Sequence, residues 1–440
     1  RLEKVKKEWT RRGYIPEDFE VGGLFGIRGK VFDSRLIVVA VGGTDDLDKA
    51  QTLKRKLEAK YGIVGRLHSQ VTDYPSGTIV IEGDGVETTV RNQDVLWVTS
   101  TRGDEEKIRY RIPGIPKSYK QGRETRTYLG TLIFAPSKAG NLVAMNSLGS
   151  ERLLRGVVPA EIYASAPKEA LRAQAVAARN EIFAAIGVRN LADPFMQRAD
   201  VFDQVYEGVG AETPRTTRAV RATEGKVMFY GKQIVEAVYS SNAGGFTENN
   251  ENVWDAEPRP YLRGKPDASR KKVPEKFRDG ISDAELEEVL ESGFPANSKT
   301  APVGSSDFYR WKASVDVREA REWLSDNGKS VGELETVEVV DRGVSGRIIR
   351  LRVTGTEGEA VVERELNVRR LFGGLKSGLF VMEVDRDEDG LIRRFHFRGA
   401  GFGHGVGMCQ TGAIGMASRG KSHREILNHY FTGIKVKQLY

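Results

Sequence analysis

The sequence predicts an α+β protein: a strand-rich core, one long alanine-rich helix, and a small α/β insertion or domain near the N-terminus. Three observations predict it. Lys168–Ile186 is rich in alanine and free of glycine and proline, the composition of a long helix. Short β-like runs recur through the last third, at Phe308–Val315, Leu334–Val340, Ile348–Val353 and Ala360–Leu366. Near the N-terminus the apolar run Leu36–Val41 is followed by a helical stretch, Asp46–Tyr61, and by the short run Thr78–Glu82.

The other elements follow in order. Residues 1–13 are polar, basic and good helix formers. Asp46–Tyr61 is acidic at its start and carries Lys54, Arg55, Lys56 and Lys60 toward its end, the order that suits a helix dipole. Leu96–Thr99 reads as a strand. Gly114–Gly122, rich in Gly, Pro and Lys, reads as a linker or turn. It separates an N-terminal region, 1–117, from a larger domain, 118–440. That domain opens with strands at Tyr128–Phe134 and Leu142–Met145, and Ser165 and Pro167 announce the long helix. A polar stretch at about 265–310 contains Pro266, Pro274, Pro295 and Pro302. It reads as an excursion holding a short helix at Asp283–Ser292. The chain ends in a helix near Ser422–Tyr430.

A chain of 440 residues exceeds one ordinary core, so two or three domains are expected. The 39% apolar and 29% charged content is that of a globular protein. Its apolar runs fall far short of the ~18 residues a membrane span needs. The chain begins at Arg1 without a methionine or an apolar leader, as in an exported protein whose leader has been removed or a trimmed chain. The net charge of +7 is spread evenly: residues 1–117 hold 21 basic and 18 acidic residues. A nucleic-acid binder concentrates such charge in a stripe or tail, so no nucleic-acid partner is expected. Mild distributed positive charge suits a polyanionic surface such as a cell wall. The single cysteine, Cys409, forms no internal disulfide. The sequence has no HExxH, CxxC, GxSxG or phosphate-loop motif, so no metal or cofactor is expected.

Four features carry chemistry. Leu153–Glu161 is an apolar stretch that delivers a lone carboxylate ahead of the long helix. Val157, Val158, Pro159 and Ala160 surround Glu161 with apolar groups, which favour the protonated form a general acid needs. Nearby helix N–H groups would favour the anion, and on the local sequence Glu161 also reads as a residue capping or preceding the helix. Gln174 and Arg179 are the notable polar residues of the long helix. Arg179 reads as the partner of a buried acid or the holder of a ligand carboxylate. Tyr239–Glu248, after the strand Ile234–Val238, crowds Ser240, Ser241 and Asn242 against Gly244 and Gly245, as in a ligand-lining loop or an ordinary turn. Finally, Gly399, Gly401, Gly403, Gly405 and Gly407 alternate with Ala400, Phe402, His404 and Val406. An extended chain there has one bare face, which invites close approach by another backbone or a ligand.

Together these segments resemble the SpoIID/LytB family over about residues 120–440. The matching pieces are Leu154–Glu161 running on through Pro167–Arg179; Ser241–Thr247 with Trp254 and Pro260–Leu262; and Gly403–Gln410 with Gly412 and Ala413. The strand–helix–strand order at about 34–90 resembles half of a SPOR domain, a small module that binds peptide-stripped peptidoglycan. The family resemblance implies a SpoIID-like catalytic core and a lytic transglycosylase of extracytoplasmic location, acting in sporulation or cell-wall remodelling. Its substrate would be glycan strands already stripped of stem peptides by an N-acetylmuramoyl-L-alanine amidase. Its catalytic glutamate falls on Glu161, and Ser240, Ser241, Gly244, His404, Gln410, Gln174 and Arg179 are expected to line the substrate groove. Glu161 alone would protonate the oxygen between MurNAc and GlcNAc. It would then take the proton of the MurNAc C6 hydroxyl as that oxygen closes onto C1 to give a 1,6-anhydro product. Two departures stand out. Some members bind zinc through a histidine where this chain has Ser240, together with nearby ligands absent here, so no metal is carried over. The family usually has serine at Cys409. The alternatives are a non-catalytic glycan-binding amidase enhancer, and a water-using muramidase with Glu248 or Asp255 as its second carboxylate.

Overall fold

The computed structural model describes residues 2–27, 29–62, 65–83, 86–90, 94–99, 110–116, 122–291, 294–304 and 306–440. The class is α+β, with helices interspersed among small sheets. The chain forms two compact units. The first holds Arg1–Glu161, Ala178–Val227 and Lys437–Tyr440; the second holds Ile162–Ala177 and Met228–Val436. The boundary expected at 117/118 therefore falls inside the first unit.

The first unit begins with helix α1, Leu2–Arg11, strand β1, Pro16–Val21, a hairpin of β2, Leu24–Ile27, and β3, Lys30–Asp33, and then β4, Leu36–Val41. Helix α2, Leu47–Tyr61, starts where the Asp46 carboxylate accepts the amides of Asp48 and Lys49, and stops at Gly62 in the left-handed region. Strands β5, Ile79–Gly83, and β6, Val86–Val90, form a hairpin. The expected strand–helix–strand order is present, but β4 pairs with β1 and β5 with β6, so the two strands belong to separate ladders. Next come β7, Leu96–Val98, β8, Tyr110–Pro116, β9, Arg123–Tyr128, β10, Thr131–Pro136, and β11, Leu142–Ser147. The linker expected at 114–122 is strand up to Pro116, where β8 pairs with β9; residues 117–121 lie outside the described residues. The single strand expected at Tyr128–Phe134 is broken at Gly130. There φ is +81° and a Cβ would stand 2.4 Å from the Ser147 carbonyl, so β9 turns away and β10 pairs with β7 and β11. Among the residues whose side chains are described, none before Arg126 is buried.

Two helices follow: α3, Ser150–Glu161, and α4, Lys168–Ala185, which passes from the second unit into the first at Ala177/Ala178. The α4 face is alanine for a packing reason: Ala170, Ala173, Ala175, Ala177 and Ala178 are all fully buried. Helix α5, Pro214–Ala222, is capped by Thr213, packs on α3, and leads to β12, Lys226–Tyr230.

In the second unit the run expected as a strand at Ile234–Val238 yields only β13, Gln233–Ile234, and β14, Tyr239–Ser240, with Val235 and Ala237 buried between them. Helix α6 spans Asn250–Val253. The polar stretch at 265–310 is a packed layer rather than an exposed excursion. Its helix α7, Asp283–Glu291, buries Leu286, Val289 and Leu290 with Phe277, Phe294 and Tyr309 against Phe246 and Ala400; Ser292, the expected end of that helix, lies outside the described residues. Phe308 and Tyr309 close a one-turn helix, α8, Ser306–Tyr309, ahead of β15, Trp311–Asp316, and α9, Val317–Asp326. Strands β16, Leu334–Arg342, β17, Ile348–Gly355, and β18, Gly358–Glu363, form an antiparallel sheet. The strand expected to reach Leu366 stops at Glu363, and α10, Glu365–Leu371, begins after Arg364 at φ +79°. Strands β19, Phe380–Arg386, and β20, Ile392–Gly399, join β15 in a second sheet. The chain then runs through β21, Met408–Cys409, α11, Gln410–Ser418, α12, His423–Tyr430, and β22, Lys435–Gln438. A capping box between Ser422 and Glu425 opens α12, as its sequence predicts.

Candidate functional site

Glu161 is the last residue of α3, and this corrects the expected local structure: the apolar stretch before it is itself helical. Glu161 therefore lies at a helix C-terminus, where the last backbone carbonyls lack intrahelical partners. Pro159 lies inside the helix and has no amide to donate to the Arg155 carbonyl, so the last turn is weakened. Leu154, Val157 and Val158 are buried, while Glu161 is half-buried. The Val205 amide donates to Glu161 Oε1 at 2.6 Å. Gly156 makes this approach possible: a Cβ there would stand 2.5 Å from the Tyr206 ring and 2.9 Å from the Gly208 carbonyl. A glycine inside a helix costs about 1 kcal/mol relative to alanine, and here it seats the 205–208 segment on α3.

That segment is fixed by Asp203. Its carboxylate accepts the Arg198 amide at 2.8 Å, the Asn190 side-chain amide at 3.2 Å and the Arg189 guanidinium at 3.3 Å. Arg189 also reaches Glu181 at 2.9 Å. Arg179, an expected groove residue of the same unit, is fully buried in a two-pronged pair with Glu151 at 2.6 and 2.8 Å, and donates to the Lys226 carbonyl at 3.2 Å. It is the partner of an acid within the fold. Burial pushes the Glu151 carboxyl up, but Arg179, Tyr440 and the Gly225 amide together hold it below its ordinary value.

The remaining expected residues lie in the second unit and do come together there. Strand β14 pairs in parallel with β21, setting Ser240 beside Cys409. The Ser241 carbonyl accepts the Thr411 amide and hydroxyl at 3.0 and 2.6 Å. Gln410 donates to Gln174 at 3.2 Å, a buried amide pair. The Ser240 hydroxyl is buried and has no partner among the described residues. Cys409 opens α11: its Sγ accepts the amides of Ala243 and Gly412, each at 3.2 Å, and so acts as the helix cap. Burial pushes its thiol well up, leaving it protonated and unreactive.

The alternating glycines form an irregular segment rather than an extended strand. Gly401, Gly403, Gly405 and Gly407 all have positive φ, from +71° to +93°. The expectation of close approach holds. A Cβ at Gly407 would be 2.1 Å from the Val238 carbonyl, and one at Gly405 would be 2.3 Å from the Arg347 guanidinium carbon. Gly244, at φ +73°, packs on Ala400 and Gly401. Arg347 occupies the space these glycines leave. It is fully buried and donates to the carbonyls of Ala243 and Phe246, both at 3.1 Å, and to the Ser345 hydroxyl at 3.0 Å.

His404 has both ring nitrogens engaged by backbone. Nε2 donates to the Tyr239 carbonyl at 2.9 Å, and Nδ1 accepts the Val406 amide at 3.0 Å, which assigns the tautomer. Burial pushes its pKa down to about 3, with Arg347 and Arg369 adding to the effect and the Tyr239 carbonyl opposing it. The ring is therefore neutral, and it packs against Trp254 with centroids 4.8 Å apart.

The two carboxylates considered for a water-using reaction are both structural. Glu248 is 1% exposed and accepts the amides of Asn249 and Ser345, the Asn252 side chain and the Ser345 hydroxyl. Asp255 pairs with Arg364. Sequence reasoning missed Val205 and Asp203, which act across 44 positions or through loop geometry, and Arg347, one arginine among many. Only the glycines that Arg347 fills gave a signal.

Known proteins match in the same places. The family described as stage II sporulation protein matches residues 138–230, which include Glu161, Gln174 and Arg179. A domain of unknown function, DUF8618, matches 248–407, which includes Trp254 and His404. Stage II sporulation protein D of Bacillus subtilis is 28% identical over 311 residues, covering 67% of this chain and 76% of that protein. An uncharacterized protein of Brachyspira hyodysenteriae is 26% identical over 309 residues, covering 70% and 72%. The amidase enhancer of Bacillus subtilis is 26% identical over 304 residues, 64% of this chain but only 39% of the enhancer's length. These matches, with the motifs that carry them, support a SpoIID/LytB family assignment over the residues they cover.

Proposed function

We propose that this protein works on the bacterial cell wall as a peptidoglycan lytic transglycosylase, outside the cytoplasm, with Glu161 as its single acid/base. The observation that carries the reading is the setting of Glu161. It is a half-buried carboxylate at the end of an apolar helix, aimed by the Val205 amide. Glu248 and Asp255 are held in structural bonds, which favours a one-carboxylate reaction over a water-using one. The Glu161 acid protonates the oxygen between MurNAc and GlcNAc as the bond to C1 lengthens. The Glu161 anion then takes the C6 hydroxyl proton, and O6 closes onto C1 to leave a 1,6-anhydro end. Because the nucleophile belongs to the substrate, no water has to be positioned. Ser241, whose hydroxyl has no hydrogen-bond partner among the described residues, is a groove candidate. No described helix is long and apolar enough to cross a membrane.

The test is a digest of amidase-treated and untreated peptidoglycan with wild type and Glu161→Gln, read by mass spectrometry. Anhydro-glycans from wild type alone are expected. The relative named amidase enhancer favours a second reading, a glycan-binding helper of another hydrolase. Silence from both proteins with glycan binding intact would select it.

A further inference from the structure

Trp254 is 37% exposed, yet the segment that presents it is held tightly. The buried Asn250 side chain accepts the Arg259 amide at 2.8 Å and donates to the Glu257 carbonyl at 2.9 Å, closing the loop on both sides of the ring. Arg364 clamps it again, donating to the Glu251 carbonyl at 3.0 Å and pairing with Asp255, the residue after Trp254. Arg364 does this from φ +79°, a conformation that a non-glycine residue keeps only where its surroundings enforce it and that clusters at ligand clamps. Beneath the indole lies the His404 ring, fixed at both nitrogens and neutral. Beside His404, Gly403 leaves room for Ser240, 3.1 Å from where a Cβ would stand, and the Ser240 hydroxyl is buried without a partner among the described residues. The indole N–H likewise has no acceptor among the described residues.

A rigid, exposed aromatic face with an open N–H donor matches one chemistry in particular. The axial C–H face of a pyranose is apolar and weakly positive, and it complements the negative face of an indole; its hydroxyl and acetamido groups are hydrogen-bond partners at the ring edge. We propose that Trp254, propped by His404, is a sugar-stacking subsite for an N-acetylated hexopyranose of the glycan strand. This deepens the cell-wall reading and rests on it for the identity of the sugar. It does not rest on cleavage.

The experiment uses the full chain carrying Glu161→Gln, titrated with chitotetraose and with peptide-stripped glycan. Affinity is read by calorimetry, and the five tryptophans by fluorine NMR after 5-fluorotryptophan labelling. Trp254→Ala should weaken binding about tenfold and Trp254→Tyr by about threefold. In the parent, the resonance assigned by Trp254→Tyr should shift on titration. Binding unchanged in a folded Trp254→Ala protein, an unmoved Trp254 resonance, or no binding of either probe by the parent would overturn the proposal. Trp254-dependent binding by a wild type that releases no anhydro product would leave the subsite standing and remove the transglycosylase reading. Anhydro product without Trp254-dependent binding would do the reverse.

Discussion

Glu161 and Glu248 are both glutamates flanked by motif residues, but their surroundings differ in kind. Glu248 is 1% exposed and receives four donors; through the Ser345 hydroxyl, 2.5 Å away, it reaches the buried guanidinium of Arg347. Gly343 makes room for it, since a Cβ there would stand 2.2 Å from its oxygen. Glu161 is half-buried at a helix end, aimed by a backbone amide from a separate loop. A buried carboxyl that receives four donors holds structure together and has no oxygen left open to substrate. A carboxylate that is oriented and still reachable can exchange protons. The lesson is that local motif sequence does not distinguish the two, whereas the donors around each carboxylate do.

The largest expected effects separate the pair directly. Glu161→Gln should lower glycan cleavage about a thousandfold with an unchanged melting temperature. Glu248→Ala should unfold the second unit more readily, by about 3–5 kcal/mol in a denaturant titration, because Ser345, which orients the buried Arg347, loses its acceptor. If Glu248→Ala were as stable as wild type, the contrast would collapse. Gly405→Ala tests the glycine side of the same node. With φ at +76° and the Arg347 carbon 2.3 Å from the new Cβ, it should cost about 3 kcal/mol.

Asp203→Asn sharpens the Glu161 side. It loosens the loop that carries the Val205 amide, and about a tenfold fall in kcat with a displaced pH profile is expected. A proportional loss of stability with an unmoved profile would reduce Asp203 to a packing role. Glu169 offers a pH test in the second unit. Burial pushes its carboxyl up, but the His423 amide and ring, each 2.8 Å away, with Arg172, outweigh that and hold it at about 2. A depressed folded-state pKa contributes stability above the unfolded value, and the contribution is lost as pH falls. Acid unfolding should therefore steepen from about pH 4.5 toward about 2, and Glu169→Gln should flatten that limb. Least of all, Cys409→Ser should raise stability by less than about 1 kcal/mol, since oxygen is the better acceptor for the Ala243 and Gly412 amides.

Much of this was legible in the chain. The α4 helix, α2 with its charge order, the Ser422 start of α12 and the strands β16 and β17 follow from periodicity and capping, which are local. The α3 helix is not legible, because Gly156 and Pro159 both argue against helix; Gly156 is there because Tyr206 and Gly208 pack where a side chain would be. The 265–310 stretch was read as an excursion from its prolines and charges, while its few large residues, Phe277, Leu286, Phe294 and Tyr309, supply a core with partners far along the chain.

By itself the sequence determined the fold class, the long alanine helix and the family motifs, and it singled out Glu161 as the candidate carboxylate. It also showed that the glycine run must yield to something close. Tertiary structure alone decided what that something is: Arg347 and the Val238 carbonyl. It also decided that Arg179 serves Glu151, that His404 is a neutral prop, and that Glu248 is held in structural bonds. The physical reason is that helix propensity, capping and glycine geometry act over a few residues. The state of a charged side chain is set by donors and low-dielectric neighbours that arrive from distant segments.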